Sequence, residues 1–265
     1  MSTVVNGVGE ILQRCREEGR AALVGYLPVG FPTVEGSLEA MRVLVEAGCD
    51  IVEVGVPYSD PLMDGPVIQH AASTALAGGA RVDDVFRATQ AVRDAGGAAL
   101  VMTYWNLVLR RGVERFAADL ASSGGAGLIT PDLIPDEAGE WIAASDAHGL
   151  DRVFLVAPSS TPERLSAVTG ACSGFVYAAS TMGVTGARTS VDSDARGLVE
   201  RTRSVTDLPV CVGLGVSTGA QAAELAAKLE GMTDRATKAE ARAEVIEKQA
   251  QKDAQELTSA RVQGP

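Results

Sequence analysis

The chain has 265 residues, of which 46% are apolar and only 4% aromatic, so Val, Leu and Ala must fill its core. That length suits one large α/β barrel or two ordinary domains. A formal charge of −11 argues against nucleic acid or an anionic membrane as partner, since both call for basic surface.

In chain order, Val8 to Glu18 reads as an amphipathic helix with Val8, Ile11, Leu12 and Cys15 on one side, stopped at Gly19. The apolar run 21–27 follows as a strand, and helix-period residues occupy Val34 to Ala47 before Gly48. A second strand spans 50–56. The cycle then recurs, with strand-like runs at 98–104, 125–130, 152–157, 174–179 and 209–214. Helical segments precede them at Val82–Asp94, Val113–Ser122, Glu137–His148, Pro162–Thr169 and Ser193–Val205. Alternating β and α at this spacing implies parallel strands with right-handed crossovers, and seven or eight units favour a closed (β/α) barrel over an open sheet. No GxGxxG follows the first strand, which weakens a dinucleotide-binding reading.

No apolar run reaches the ~20 residues needed to cross a bilayer, and a start containing Glu10, Glu17 and Glu18 is unlike a secretory signal. Cys15, Cys49, Cys172 and Cys211 are scattered without a CxxC pair, as expected of reduced thiols in a cytoplasmic protein. With only His70 and His148, both expected on helix surfaces, a multi-His metal site is excluded. Acid–base chemistry then falls mainly to carboxylates.

The stretch Asp50 to Pro66 is where carboxylates gather. Its opening is a β-branched run of the kind buried on both faces of a parallel sheet, interrupted by Glu53. A carboxylate there is either neutralised by a nearby Arg or Lys or aimed into a polar cavity, because burying a bare charge is costly. Pro57, Pro61, Gly65 and Pro66 hold the following loop away from helix, and that loop carries Asp60 and Asp64. Three acids bracketed by Pro and Gly point to a site. Reactive groups of such barrels sit at the C-terminal strand ends, where Tyr104, Asp132, Tyr177 and the loop 181–186 also fall. Gly213 and Gly215 follow the seventh strand. These late glycines either turn the chain or let backbone N–H groups cradle a phosphate.

The run Glu53-Val-Gly-Val-Pro-Tyr-Ser-Asp-Pro-Leu-Met-Asp-Gly-Pro-Val-Ile-Gln69 closely resembles the signature of the tryptophan synthase alpha-subunit family. The resemblance extends to 25–32, Tyr104-Trp105-Asn106, 130–135, Gly183 to Ala187 and 213–217, covering about residues 6 to 226. It implies a (β/α)8 TIM-type barrel that cleaves indole-3-glycerol phosphate by a retro-aldol reaction, a lyase step in tryptophan biosynthesis. By the same resemblance Glu53 is the acid–base residue and Asp64 faces the indole nitrogen. Thr185 belongs to a closing loop, Tyr177 lines the glycerol end with Tyr104 also at the substrate, and Gly186 and Gly215 are phosphate-binding backbone positions. It further implies a beta-subunit partner in an alpha2beta2 heterotetramer, contacted by 57–66 and 132–135. Pyridoxal phosphate is expected only on that partner, with no cofactor and no metal on this chain.

The resemblance ends near residue 226, so the barrel domain is expected over 1–226 and a charged helical tail over 227–265. The family's eighth strand, whose Gly-Ser pair completes the phosphate site, has no counterpart run after Leu214. Instead Leu225, Leu229, Met232, Ala236, Ala239, Ala243, Ile246 and Ala250 keep a four–three spacing, as in a coiled-coil seam or a solvated single helix. An incomplete phosphate cradle leaves a second reading, a catalytically impaired activator of the beta subunit, beside that of the lyase. Deleting 227–265 and following thermal unfolding tests the tail. A loss of about 1 kcal/mol or less marks it as an appendage, whereas collapse of cooperative unfolding shows that it covers the open side.

Overall fold

The computed structural model describes residues 7–60, 63–179 and 193–213, the side chains of 193–195 excepted. Apart from 19–21, these belong to one compact unit. Helix α1 (Val8–Glu17) leads into strand β1 (Val24–Pro28), helix α2 (Val34–Glu46) and strand β2 (Ile51–Gly55). Then come α3 (Pro66–Ala77), α4 (Val82–Asp94), β3 (Ala98–Met102), α5 (Trp105–Arg111), α6 (Val113–Ser122) and β4 (Gly127–Ile129). A 3₁₀ turn at Pro135–Glu137 precedes α7 (Gly139–His148), β5 (Asp151–Val153), β6 (Leu155–Val156) and α8 (Pro162–Ala171). Strand β7 (Val176–Ala179), α9 (Ser193–Arg203) and β8 (Val210–Gly213) complete the described elements.

Every strand pairing is parallel and follows chain order, β1 to β5 in one ladder and β6 to β8 in the next. Strand order that never reverses separates a (β/α) barrel from a doubly wound sheet. All seven expected strands are present, each shorter than its apolar run. The fifth is split at Phe154, whose amide turns to Cys172 Sγ (3.4 Å) while its carbonyl accepts from the Tyr177 amide (3.2 Å). The site of the eighth strand, the boundary at 226 and the helical tail all lie outside the described residues.

Two helices were not foreseen. Pro66, read above as keeping the chain out of helix, instead starts α3. In the first turn its missing N–H costs nothing and its fixed φ suits the helix. Helix α5 begins at Trp105, whose amide donates to both Asp132 carboxylate oxygens (3.0 and 3.1 Å). Its start is capped from the next βα loop, which local sequence does not reveal. Elsewhere local rules suffice: Thr33 and Thr161 side chains cap α2 and α8.

Within β2, Ile51, Val52 and Val54 are wholly buried, as befits a strand with barrel interior on one face and helices on the other. Helix α1 seals the interior at the N-terminal strand ends. Its Val8, Ile11, Leu12 and Cys15 pack with Ile51, Ala98, Leu100, Val153 and Phe175. Asp151 holds the plug in place. One of its oxygens accepts from the Val8 amide (2.9 Å), the other from Ser173 Oγ (3.0 Å). The Val8 amide is an otherwise unmatched helix N-terminal donor, and a carboxylate there also suits the helix dipole. Asp151→Ala is therefore expected to lower stability by about 2 kcal/mol, measured as an earlier urea midpoint at unchanged slope.

Candidate active site

Glu53 occupies the inner face of β2, two residues beyond Ile51 of the sealed floor. Register places Tyr26 of β1 on one side of it and Leu100 of β3 on the other. It is 6% exposed, and burial pushes its carboxyl up to about 7. Of the two readings of this residue, the neutralising cation is therefore replaced by desolvation. A carboxyl poised near neutrality can both give and take a proton.

Asp64 lies in the loop between β2 and α3, half-buried, and burial raises its carboxyl as well. Several bonds hold that loop. The Met63 amide donates to the hydroxyl of buried Tyr104 (3.0 Å), and Gln69 Nε2 donates to the Asp64 carbonyl (2.8 Å). The Tyr58 and Tyr104 rings lie 4.7 Å apart at 32°, and Asn106 Nδ2 donates to the Tyr58 hydroxyl (2.8 Å). Tyr104 thus reaches the site chiefly as the anchor of the Asp64 loop. Asp60 is exposed, accepting from Ser59 Oγ at 2.7 Å. Asp132 is engaged in capping α5, and its carboxyl is raised by burial against the opposing pull of the Trp105 amide.

Tyr177 lies on β7 opposite Cys211 of β8. Its hydroxyl overlies Gly213, where an added Cβ would come within 2.5 Å of it. Tyr26 repeats this arrangement over Gly55, also at 2.5 Å. Both phenols are held above their ordinary range, first by burial and then by carboxylate charge, from Glu53 for Tyr177 and from Asp64 and Glu53 for Tyr26. Both are therefore donors, never phenolates, at any working pH. Burial and the Glu53 charge push the Cys211 thiol up to about 12, so it is no nucleophile. The sequence reading passed over Tyr26 and Cys211. The available signal was the parity of β1 and β8 against Glu53, which is readable only once the register is known.

Of the residues expected at the site, Glu53, Asp64, Tyr104 and Tyr177 fall among the described ones, and the electrostatic influences above link Glu53 to Tyr177 and both carboxylates to Tyr26. Thr185, Gly186 and Gly215 lie outside the described residues. Among the described residues no group of three or more His, Cys, Asp or Glu gathers as metal ligands. His70 is exposed on α3 against the Phe31 ring, and His148 on α7 pairs with Glu114 at 2.7 Å. None of the four cysteines is in a disulfide. No described helix is long and apolar enough to cross a membrane.

A family model described as tryptophan synthase alpha chain matches residues 12–263. The tryptophan synthase alpha chain of Mycobacteroides abscessus is 65% identical over 223 residues, 84% of this chain and 85% of that one. The structure of Mycobacterium tuberculosis tryptophan synthase aligns with a TM-score of 0.79 at 62% identity, covering 82% of this chain and 84% of that chain. That of the Pyrococcus furiosus tryptophan synthase α2β2 complex aligns at 0.71 with 32% identity, over 78% and 83%. The protein is a (β/α)-barrel lyase. It belongs to the tryptophan synthase alpha chain family.

Burial of Glu53 makes stability depend on pH. Between about pH 4.5 and 7 the carboxyl is protonated in the fold and ionised in the unfolded chain. The folded state then binds the extra proton, so stability falls as pH rises through that window and levels off above it. Glu53→Gln, neutral throughout, is expected to exceed the wild type by up to roughly 3 kcal/mol at pH 8. Urea unfolding at pH 5 and pH 8 checks this, with the difference closing at the lower pH.

Proposed function

We propose that this chain cleaves indole-3-glycerol phosphate to indole and glyceraldehyde 3-phosphate, as the alpha subunit of tryptophan synthase. The observation that carries the chemistry is Glu53, a buried carboxyl near pH 7 inside the barrel mouth. Breaking the bond between the indole ring and the glycerol chain requires a proton on the ring carbon. It also requires loss of one from the adjacent side-chain hydroxyl. Protonated Glu53 gives its proton to the ring carbon. The resulting carboxylate takes the hydroxyl proton as the C–C bond breaks and the aldehyde forms, so Glu53 ends protonated again. Positive charge on the indole nitrogen is met by the Asp64 carboxylate. In this proposal Thr185 serves loop closure, Tyr177 lines the glycerol end, Tyr104 the substrate rim, and Gly186 and Gly215 contact the phosphate.

The same reading supplies the partner. A beta subunit, arranged as an α2β2 heterotetramer, would receive the indole at the face formed by 57–66 and 132–135. On that face Ile134 is exposed. Pyridoxal phosphate belongs to the beta subunit in this proposal, and this chain works without a cofactor or metal. A cytoplasmic location accords with four cysteines outside any disulfide.

Indole release measured with and without a beta subunit is the direct test. Glu53→Gln keeps the shape but transfers no proton, and is expected to lose ~10²–10⁴-fold in kcat. Asp64→Asn should be severely impaired too. Retention of more than about a tenth of the rate by Glu53→Gln would reduce Glu53 to a supporting role.

A further inference from the structure

We infer that Tyr26 is a further catalytic residue, its hydroxyl donating a hydrogen bond to the reacting side-chain oxygen of the substrate while Glu53 withdraws that oxygen's proton. The inference deepens the function proposed above and rests on it. Its basis is the geometry of two adjacent strands. Tyr26 pairs in register with Glu53, so both side chains enter the barrel interior at one level. The tyrosine is much longer, and its ring runs along β2 towards the mouth. There it lies across Gly55, where an added Cβ would meet Oη at 2.5 Å and Cε2 and Cζ at 2.8 Å. The phenolic oxygen is thus one strand repeat nearer the mouth than the Glu53 backbone. It stands in the field of both carboxylates, Asp64 first and Glu53 second, with the Tyr104 hydroxyl as a third influence.

A substrate that offers its ring nitrogen to Asp64 and its hydroxyl to Glu53 must span the gap that this phenol faces. The bond to be broken lies within that span. As the hydroxyl proton passes to Glu53, negative charge builds on the oxygen that becomes the aldehyde carbonyl. A donor fixed beforehand lowers the energy of that charge without giving up its own proton. Burial and the two carboxylates keep Tyr26 protonated, so it can act only as a donor. Gly55 is part of the device, since any side chain there would force the phenol out of place. Tyr177 over Gly213 repeats the arrangement, and family matching already places that residue at the glycerol end.

Tyr26→Phe keeps the ring and removes the donor, and two measurements on the full chain with its beta subunit decide the matter. The first is kcat for indole release, expected to fall about 10–100-fold. The second is calorimetric affinity for a substrate analogue in which hydrogen replaces the reacting hydroxyl. That affinity should stay at the wild-type value, because the analogue lacks the oxygen that Tyr26 serves. A purely structural role for the ring would move both or neither. Wild-type kcat in Tyr26→Phe overturns the inference, and so does a parallel loss of analogue affinity. A wild-type protein that binds neither substrate nor analogue overturns the function reading and this inference with it. Wild-type cleavage with an unaffected variant overturns this inference alone.

Discussion

A carboxyl group inside a barrel, set between a tyrosine and a leucine, is the constraint on which the structure turns. In water the Glu53 carboxylate would be fully solvated. Beside Leu100, and above a floor of Ile51, Ala98 and Phe175, its charged form has lost that solvation. The environment holding it near neutrality depends on excluding water from below, which is the work of α1. Its apolar face packs against the N-terminal strand ends, and Asp151 fixes the helix start there. An element far from the mouth in sequence and in space thus helps to set the proton affinity of the group at the centre of the site. The same burial opposes folding above neutral pH, so stability supplied by the packed strands and helices is drawn on to keep a reactive acid.

The mouth is organised by polar contacts between successive βα loops. Met63 donates to Tyr104, Asn106 to Tyr58, and Trp105 to Asp132. Through these bonds the loops after β2, β3 and β4 are tied side by side, with Tyr58 and Tyr104 stacked between them. The Asp64 carboxylate acquires its position from this lattice of hydrogen bonds. Its own loop, rich in Pro and Gly, shows no backbone ladder among its described residues. Barrel and mouth divide the labour: parallel strands fix Glu53, Tyr26 and Tyr177, while loop-to-loop bonds fix Asp64.

The likeness to the Pyrococcus furiosus structure, at 32% identity and a TM-score of 0.71, fits this division. Barrel strands need side chains of suitable volume on alternate faces, and many Val, Leu, Ile and Ala combinations satisfy that need. What tolerates little change is smaller. Glycines at 55 and 213 leave room for two phenols, and Gly127 lets β4 approach the Asp151 carbonyl, where a Cβ would come within 2.2 Å.

By itself the sequence determined much of this protein. Seven short apolar runs separated by amphipathic segments imposed parallel strands with helical crossovers. A glutamate in the most β-branched of those runs marked the site, because an acid among buried residues must have a use or a partner. Tertiary structure decided the rest. Pro66 could start a helix or prevent one, and only the packing of α3 chose. Helix α5 begins where a carboxylate 27 residues further along caps it, and the fifth strand breaks where the Phe154 amide finds a cysteine from after α8. Tyr26 was invisible as a site residue because its place beside Glu53 depends on the register between two strands. Whether Glu53 is paired with a cation or merely dry was equally undecided until the interior closed around it. Local patterns choose elements through backbone and side-chain preferences that act over a few residues. Proton affinity, register and loop position depend instead on what the distant chain brings within a few ångströms.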